Sequence, residues 1–487
     1  MDIKKLIELF GTEKVCDKPE CLESYAKNAH LGVGVTPVCV IKAQDAEDVV
    51  KAVNWACETN TPLIPVSSTG KHYHGGSNPS VPEAVMLDLS KMKTIRSINR
   101  TFRVAVAEPG VTYGELQEAL AKEGLRLNTS LAPRSDKSVL ADVLDVVPRI
   151  DPTTQWSYKE PLRCVEVVWG DGQKMGTGEA NGPDLEKQQA MGKWQINPDG
   201  PAHIDYIRLL TSSQGTMGVV TWASLHCTTL PSIHHMFMIG TAKYECLVDF
   251  LYKVTKLRFG TELFVLSGSN LANLIAESRD EVAAIQAKLP AWVCLVGVTA
   301  ADLLPEKKYQ QQYLDLLDIA EEFGLDMLPA INGISGDAVM EKAINPCPAD
   351  RYWKETRKGA FADIFFVSTI EGAQKYIDIM YQIAAEAGID SSDIGTYIQP
   401  QHQGVSCHVE FSIAYDPENI VESRKAKAFF DTASQKLSQE GAYYTRPYGK
   451  WARLQYNKDA QTTNMLRRLK DIFNPKNILN PGKLADY

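Results

Sequence analysis

At 487 residues the chain exceeds the roughly 250 at which single cores stop growing, so two to three domains are expected. With 44% hydrophobic and 23% charged residues its composition is globular, and no stretch approaches the roughly 18 uninterrupted apolar residues of a membrane helix. Lys plus Arg number 51 against 60 Asp plus Glu, a net charge of −9, and no dense basic run can neutralise a string of phosphates, which argues against nucleic acid as a partner.

The stretch Met1 to Thr12 interleaves Asp2, Lys4, Lys5 and Glu8 with its apolar residues and lacks a long apolar centre or a small-residue cleavage site. No secretion signal is read there, and a soluble, cytoplasmic protein is expected. The 10 cysteines, among them Cys39, Cys57, Cys164, Cys227 and Cys294, are scattered mostly in apolar runs without a Cys-x-x-Cys pair. They read as buried thiols of a reducing compartment, and no metal centre is expected. Cys16 and Cys21, the closest pair, sit in a polar segment and are the alternative metal-binding candidates.

Along the chain, Val38 to Ile41 and Pro62 to Ser67 read as strands flanking a helix. Asp45 can cap that helix, and Val49, Val50, Val53 and Cys57 give it one apolar face. A second round follows with strands Ala84 to Leu89 and Arg103 to Ala107, a Pro109-Gly110 turn, and a helix carrying Leu116, Ala119 and Leu120 that ends at Gly124. Cys164 to Trp169 leads into Gly170-Asp171-Gly172, which has tight-hairpin chemistry, and Val219 to Leu230 reads as a strand closed by Pro231. Beyond it the texture changes to longer amphipathic helices, Lys307 to Phe323 and Gly372 to Ala387, separated by strands such as Ile364 to Val367 and Ser406 to Ala414. The organisation is α+β, without internal repeats or low-complexity stretches.

The segment Pro65 to Gly76 follows a strand and gathers Ser67, Ser68, Thr69, Gly70, Lys71, His72 and Tyr73 where the backbone must approach something closely. Glycines permit that approach, and successive N–H groups form an anion nest that suits a diphosphate. The spacing is neither that of a G-x-G-x-x-G nor that of a Walker loop. Alone, such a segment is equally well a turn. It gains meaning from two later segments in the same order, Ser138 to Asp145 with Leu140 and Leu144, and Ser212 to Val220 with Gly215, Met217, Gly218 and Val219.

Together with the closing Phe473-Asn-Pro-Lys-Asn-Ile-Leu-Asn480-Pro-Gly-Lys483, these segments resemble the FAD-binding domain of the vanillyl-alcohol oxidase and p-cresol methylhydroxylase superfamily. The likeness covers about Pro37 to Leu230 and Ser438 to Leu484, and the phenol-oxidising branch is nearest. It implies an α+β fold: a two-subdomain FAD-binding domain over residues 1–231, a cap domain on an antiparallel sheet over 232–439, and a tail, 440–487, that returns to the first domain. Residues 67–73, Ser138, Leu140, Leu144, Gly215, Met217, Gly218, Val219, Val220, Asn480 and Lys483 are then cofactor-binding candidates.

In that branch an aspartate at the position of Asp145 lies beside flavin N5, where a carboxylate can assist proton movement or stabilise cationic character; a turn-capping aspartate is the alternative. Arg446 matches an arginine near the substrate's phenolate oxygen, with Tyr444 beside it as a further catalytic candidate. The pattern departs at Thr445, where the branch has tyrosine, at Val146, where it has arginine, and over Val147 to Pro152. His408 is a candidate for covalent flavin attachment or for a structural role. Its surroundings also resemble the histidine-containing metal segment of D-lactate and glycolate dehydrogenases. His72 is a second attachment candidate, and His74 reads as pocket wall.

The expected function is an FAD-dependent oxidoreductase that takes a hydride from a small aromatic or phenolic alcohol or activated carbon. The alternatives are a D-2-hydroxy-acid dehydrogenase and a non-catalytic, flavin-binding electron-transfer subunit. A small-molecule substrate and an electron acceptor, oxygen or a redox protein, are the expected partners; a homodimer is one assembly compatible with this reading.

Overall fold

The computed structural model describes residues 3–28, 32–33, 35–153, 160–178 and 204–485. Met1 and Asp2 of the N-terminal reading, and the last two residues of the tail, lie outside the described residues.

The first part is built on two sheets. The helix Ala46–Thr59 begins where Asp45, in extended conformation, accepts from the Asp48 N–H, and it ends at Asn60 in left-handed geometry with φ 53°. Its buried face, Val49, Ala52, Val53 and Ala56, packs with Cys39, Ile41, Leu63, Val85 and Leu87 of a four-stranded sheet. In that sheet Val85–Asp88 pairs in parallel with both Cys39–Lys42 and Leu63–Val66. Parallel strands need such a crossover helix, and both sheet faces are covered, so the strands are apolar except at the ends Lys42 and Asp88. Next to it lies a five-stranded antiparallel sheet containing Leu162–Trp169, Gly218–His226 and Val104–Ala107. The helix Tyr113–Lys122 covers that sheet, started by a capping box between Thr112 and Glu115.

The strand expected over Val219 to Leu230 is shorter than read: it ends at His226, and Thr228–Thr229 pairs with Leu125–Arg126 in a separate two-stranded ribbon. The apolar and β-branched character is continuous, but the hydrogen-bonding partner changes, which pattern alone does not reveal.

The cap carries a seven-stranded sheet whose outer strand Ala360–Ser368 pairs antiparallel with Ser406–Tyr415, which in turn pairs with Ile394–Gln401. Its strands alternate between two cores. Phe237, Ile239, Val265, Cys294 and Val296 point to the side covered by the helices Pro305–Glu322, Ala373–Ala387 and Ile420–Gln439. Met236, Met238, Phe264, Leu266 and Leu295 point the other way, where Leu131, Ala132 and Ile150 of the first part join them. Backbone bonds from Ala132 N to Ala343 O and from Cys347 N to Pro133 O, both 2.8 Å, fasten the two parts along this seam.

The tail leaves the cap later than residue 440. Ala442, Tyr444, Tyr448 and Trp451 still belong to the cap core, because Val367 donates its N–H to the Tyr443 carbonyl and holds this stretch against the sheet edge. Pro447 and Tyr448 touch the first part through Gln214 and Asp145, and from the helix Ala460–Phe473 to Ile478 and Leu479 the chain packs into its cores. No helix among the described residues is long and apolar enough to cross a membrane.

Candidate flavin and substrate site

A cavity of about 300 Å³ lies between the two parts. Its first wall is the loop after strand Leu63–Val66. Gly70 there has φ +75°, a left-handed conformation that favours glycine, and a Cβ would press on the Asp136 carboxylate. Arg134, 5% exposed, braces the loop by donating to the carbonyls of Thr69 and Lys71 while its Nε holds Asp136 at 3.0 Å. The loop carries a run of unspent backbone N–H groups: from Ser68 to Tyr73 none donates to a protein group among the described residues. Successive unspent donors beside a cavity suit a diphosphate, so the residues present fit FAD at this wall.

The second wall is the short helix Val139–Leu144. Ser138 starts it by accepting from Ala141 N, donates to the Pro109 carbonyl at 2.6 Å, and is tied to Ser67 and Ser68. The chain end closes the cavity from behind. Asn480 Nδ2 donates to the Gln214 and Gly76 carbonyls at 2.6 and 3.2 Å, and Lys483 Nζ donates to the Gly75 carbonyl at 2.6 Å. Burial lowers the Lys483 ammonium to about 8. Asn474, 1% exposed, ties the tail to the sheet: its amide donates to Thr216 and Leu479 carbonyls and accepts from Ile478 and Leu479 N–H groups. Asn474→Ala should therefore cost about 2–4 kcal/mol, read as a lower urea midpoint, because buried backbone groups lose their partners.

The expected site residues divide into those that meet the cavity and those that support it. Ser67, Ser68, Lys71, His72, Tyr73, Leu140, Leu144, Asp145, Gly215, Gly218, Val219, Val220, His408 and Arg446 line it. Thr69 and Gly70 sit behind, against Asp136; Ser138, Asn480 and Lys483 act as braces; Met217 packs in the core with Val220. The His72 ring is 2.9 Å from Ser77 Oγ, and burial, helped by Arg134, lowers its pKa to about 4.

Contrary to the expectation from sequence, Tyr444 does not line the cavity. It is 1% exposed, donates to the Ser434 carbonyl at 2.7 Å and stacks on Trp451 in the cap core. The tyrosine that reaches the site is Tyr448, whose hydroxyl donates to Asp145 Oδ2 at 2.7 Å.

The inner end of the cavity holds buried charge. Lys354 lies between Asp363, at 2.7 Å, and Glu410, with its ammonium over the rings of Trp353 and Phe361. His74 Nε2 faces Asp363 and His408 Nε2 faces Glu410, both at 3.5 Å. Burial works against ionising the two carboxylates, yet Lys354 outweighs it and holds both below their ordinary values, while burial pushes both histidines down toward the neutral form. Lys354, Asp363 and Glu410 were not singled out from sequence. The available signal was a charge inside the apolar strands Ala360–Ser368 and Ser406–Tyr415.

Arg446 lies beyond, 5% exposed, its guanidinium 3.9 Å from the Phe365 ring centre and without an ion-pair partner among the described residues. No group of three or more His, Cys, Asp or Glu among the described residues is placed to hold a metal ion.

Residues 37–140 match the FAD binding domain family, and residues 408–484 match the C-terminal domain of FAD linked oxidases. The fold agrees with these assignments. A crystal structure of p-cresol methylhydroxylase with substrate bound superposes with a TM-score of 0.83 at 19% identity, covering 99% of this chain and 96% of that one. Over nearly its whole length the chain has the fold of p-cresol methylhydroxylase, and two of its segments match FAD-binding and FAD linked oxidase domains.

The chain is 22% identical to D-2-hydroxyglutarate dehydrogenase of Stutzerimonas stutzeri over 52% of its own length and 50% of the relative's. It is 26% identical to the flavoprotein subunit of 4-cresol dehydrogenase (hydroxylating) of Pseudomonas putida, over 40% of its length and 38% of the relative's. These alignments span half or less of the two relatives, and they bracket two substrate types.

Proposed function

We propose that the protein is an FAD-dependent oxidoreductase that takes a hydride from a small aromatic or phenolic alcohol or activated carbon, with Arg446 holding an anionic oxygen of the substrate. The observation that supports this reading is the guanidinium of Arg446, desolvated and without a carboxylate partner among the described residues, at the edge of a cavity walled by Tyr73, Tyr352, Phe361 and Tyr397. A buried cation calls for an anion, and aromatic walls suit a ring. Bound FAD supplies the two-electron acceptor. The protein's part is to orient the reacting carbon, exclude water and manage charge with Asp145 and Arg446.

Anaerobic mixing of the FAD-loaded protein with para-substituted phenols and aromatic alcohols tests this. Bleaching of the flavin by members of that set is expected; bleaching only by D-2-hydroxy acids would move the assignment to the second reading, which the dehydrogenase relative supports and in which Arg446 holds the acid's carboxylate. No bleaching by either set would overturn both. Tyr448→Phe removes the donor that fixes Asp145, and reduction should slow about tenfold with KM little changed, measured with the best substrate of the panel.

A further inference from the structure

The proton that a hydroxyl-bearing substrate loses as its hydride departs needs an acceptor. Asp145 is already engaged by the Tyr448 hydroxyl. His74 packs against Tyr448 and Phe365, the residues that touch Asp145 and Arg446. Its ring lies parallel to that of Tyr448, 5.8 Å away at 10°, and edge-on to Phe365, whose face carries Arg446. About a third of its side chain is open, and the ring lines the cavity. Behind it, Asp363 is held by Lys354 and by a hydrogen bond from Ser412 at 2.5 Å.

We propose that His74 is the group that accepts the substrate's proton, with Asp363 facing its Nε2 and Lys354 as the positioning residue that shares Asp363 with it and Glu410 with His408. This rests on the oxidoreductase reading above. In the step, the substrate's C–H bond breaks with its electron pair, which leaves as hydride to the bound flavin. The O–H bond breaks heterolytically, its proton goes to the His74 imidazole, and a carbonyl or, from a phenol, a quinone methide remains. The imidazolium then faces Asp363, a carboxylate kept ionised by Lys354.

The charges facing His74 set its proton affinity. Asp363 raises it, Arg446 and Lys354 lower it, and burial lowers it most, so the ring waits neutral and able to accept. The Tyr448 hydroxyl, joined to Asp145, and Glu410 with its partner His408 complete the ionisable surroundings.

Histidine-ring NMR of the FAD-loaded protein, titrated between about pH 4 and 8 with His74→Gln to assign the signal, tests the coupling without any substrate. Lys354→Met should raise the His74 midpoint by about one unit, Asp363→Asn should lower it, and Lys354→Arg should leave it within a few tenths, since only the first two change the local charge. If Lys354→Met does not fold, the Asp363→Asn and Lys354→Arg arms still decide. A midpoint that Asp363→Asn does not move overturns the proposal.

With a substrate that bleaches the flavin, reduction should rise with pH through the His74 midpoint, and His74→Gln should slow it about 10²-fold and flatten that limb. Lys354→Met should carry the limb to higher pH. An unchanged profile in His74→Gln would sink the proposal while leaving the oxidoreductase reading intact; absence of any reducing substrate would sink that reading while leaving the titration result standing.

Discussion

Arg446→Met should leave FAD bound and slow its reduction by substrate about 10²- to 10³-fold, the usual range for removing one preorganised group that meets developing charge. The size follows from the setting. The guanidinium is 5% exposed, rests on the face of Phe365 and meets no carboxylate among the described residues, so its charge is unspent until substrate arrives. For the same reason the variant should be as stable as the parent or more so, because an isolated buried cation costs free energy rather than supplying it. Arg446→Lys should restore little, since an ammonium lacks the flat fork that stacks on a ring while donating to an anion. Rapid-mixing measurement of flavin bleaching with an unfolding curve checks both halves. Undiminished reduction in Arg446→Met would remove the substrate-holding role.

Asp142→Ala should destabilise the protein by about 3–5 kcal/mol, the range for stripping one partner from a buried ion pair. Asp142 is fully buried and accepts from Arg149 at 2.8 Å, from the Tyr113 hydroxyl at 2.6 Å and from Lys137. Arg149, 1% exposed, already has Nε and Nη2 without partners among the described residues, so losing Asp142 strands most of its charge. Burial opposes ionisation of Asp142, but Lys137 and Arg149 prevail and hold its carboxyl well below the ordinary range.

A carboxyl with a depressed folded-state pKa contributes stability that is complete above its unfolded value, about 4, and is lost as pH falls below it. Urea midpoints at pH 7 and in steps below pH 4 should show that loss in the parent and a flatter dependence in Asp142→Ala. Because Asp142 sits on the helix whose C-terminal cap is Asp145, the variant should also hold FAD more weakly. A midpoint at pH 7 within about 1 kcal/mol of the parent would refute the assignment.

Local physics made part of this protein legible in its sequence. Asp45 before an amphipathic run dictates a capped helix, small residues after an apolar strand dictate a close-approach loop, and the tail signature brings its own packing contacts. Each of these depends on neighbours within a few residues, where capping, backbone freedom and periodicity act. Around Tyr444 an equally short span does not fix which side chain faces the cavity. Tyr443 is pinned to the edge of the cap sheet, Tyr444 is turned into the core, and Gly449, with φ 50°, starts the helix Lys450–Tyr456 after Tyr448 has come up beside Asp145. Adjacency in sequence does not fix which side chain faces a cavity when the backbone is irregular.

What the sequence determined by itself, then, is the α+β frame and the small-residue loop that lines the cavity, since these are written in contiguous motifs. The inner end of the cavity was decided by tertiary structure alone. His74, Lys354, Asp363 and Glu410 come from the glycine loop, a short turn and two cap strands, and only the strand pairing of Asp363 with Ser412 and of Phe365 with Glu410, together with the docking of the loop against them, makes them neighbours. A charge is costly in an apolar strand unless an opposite charge meets it. Which residue meets it is a fact of three-dimensional packing that no spacing in the chain encodes.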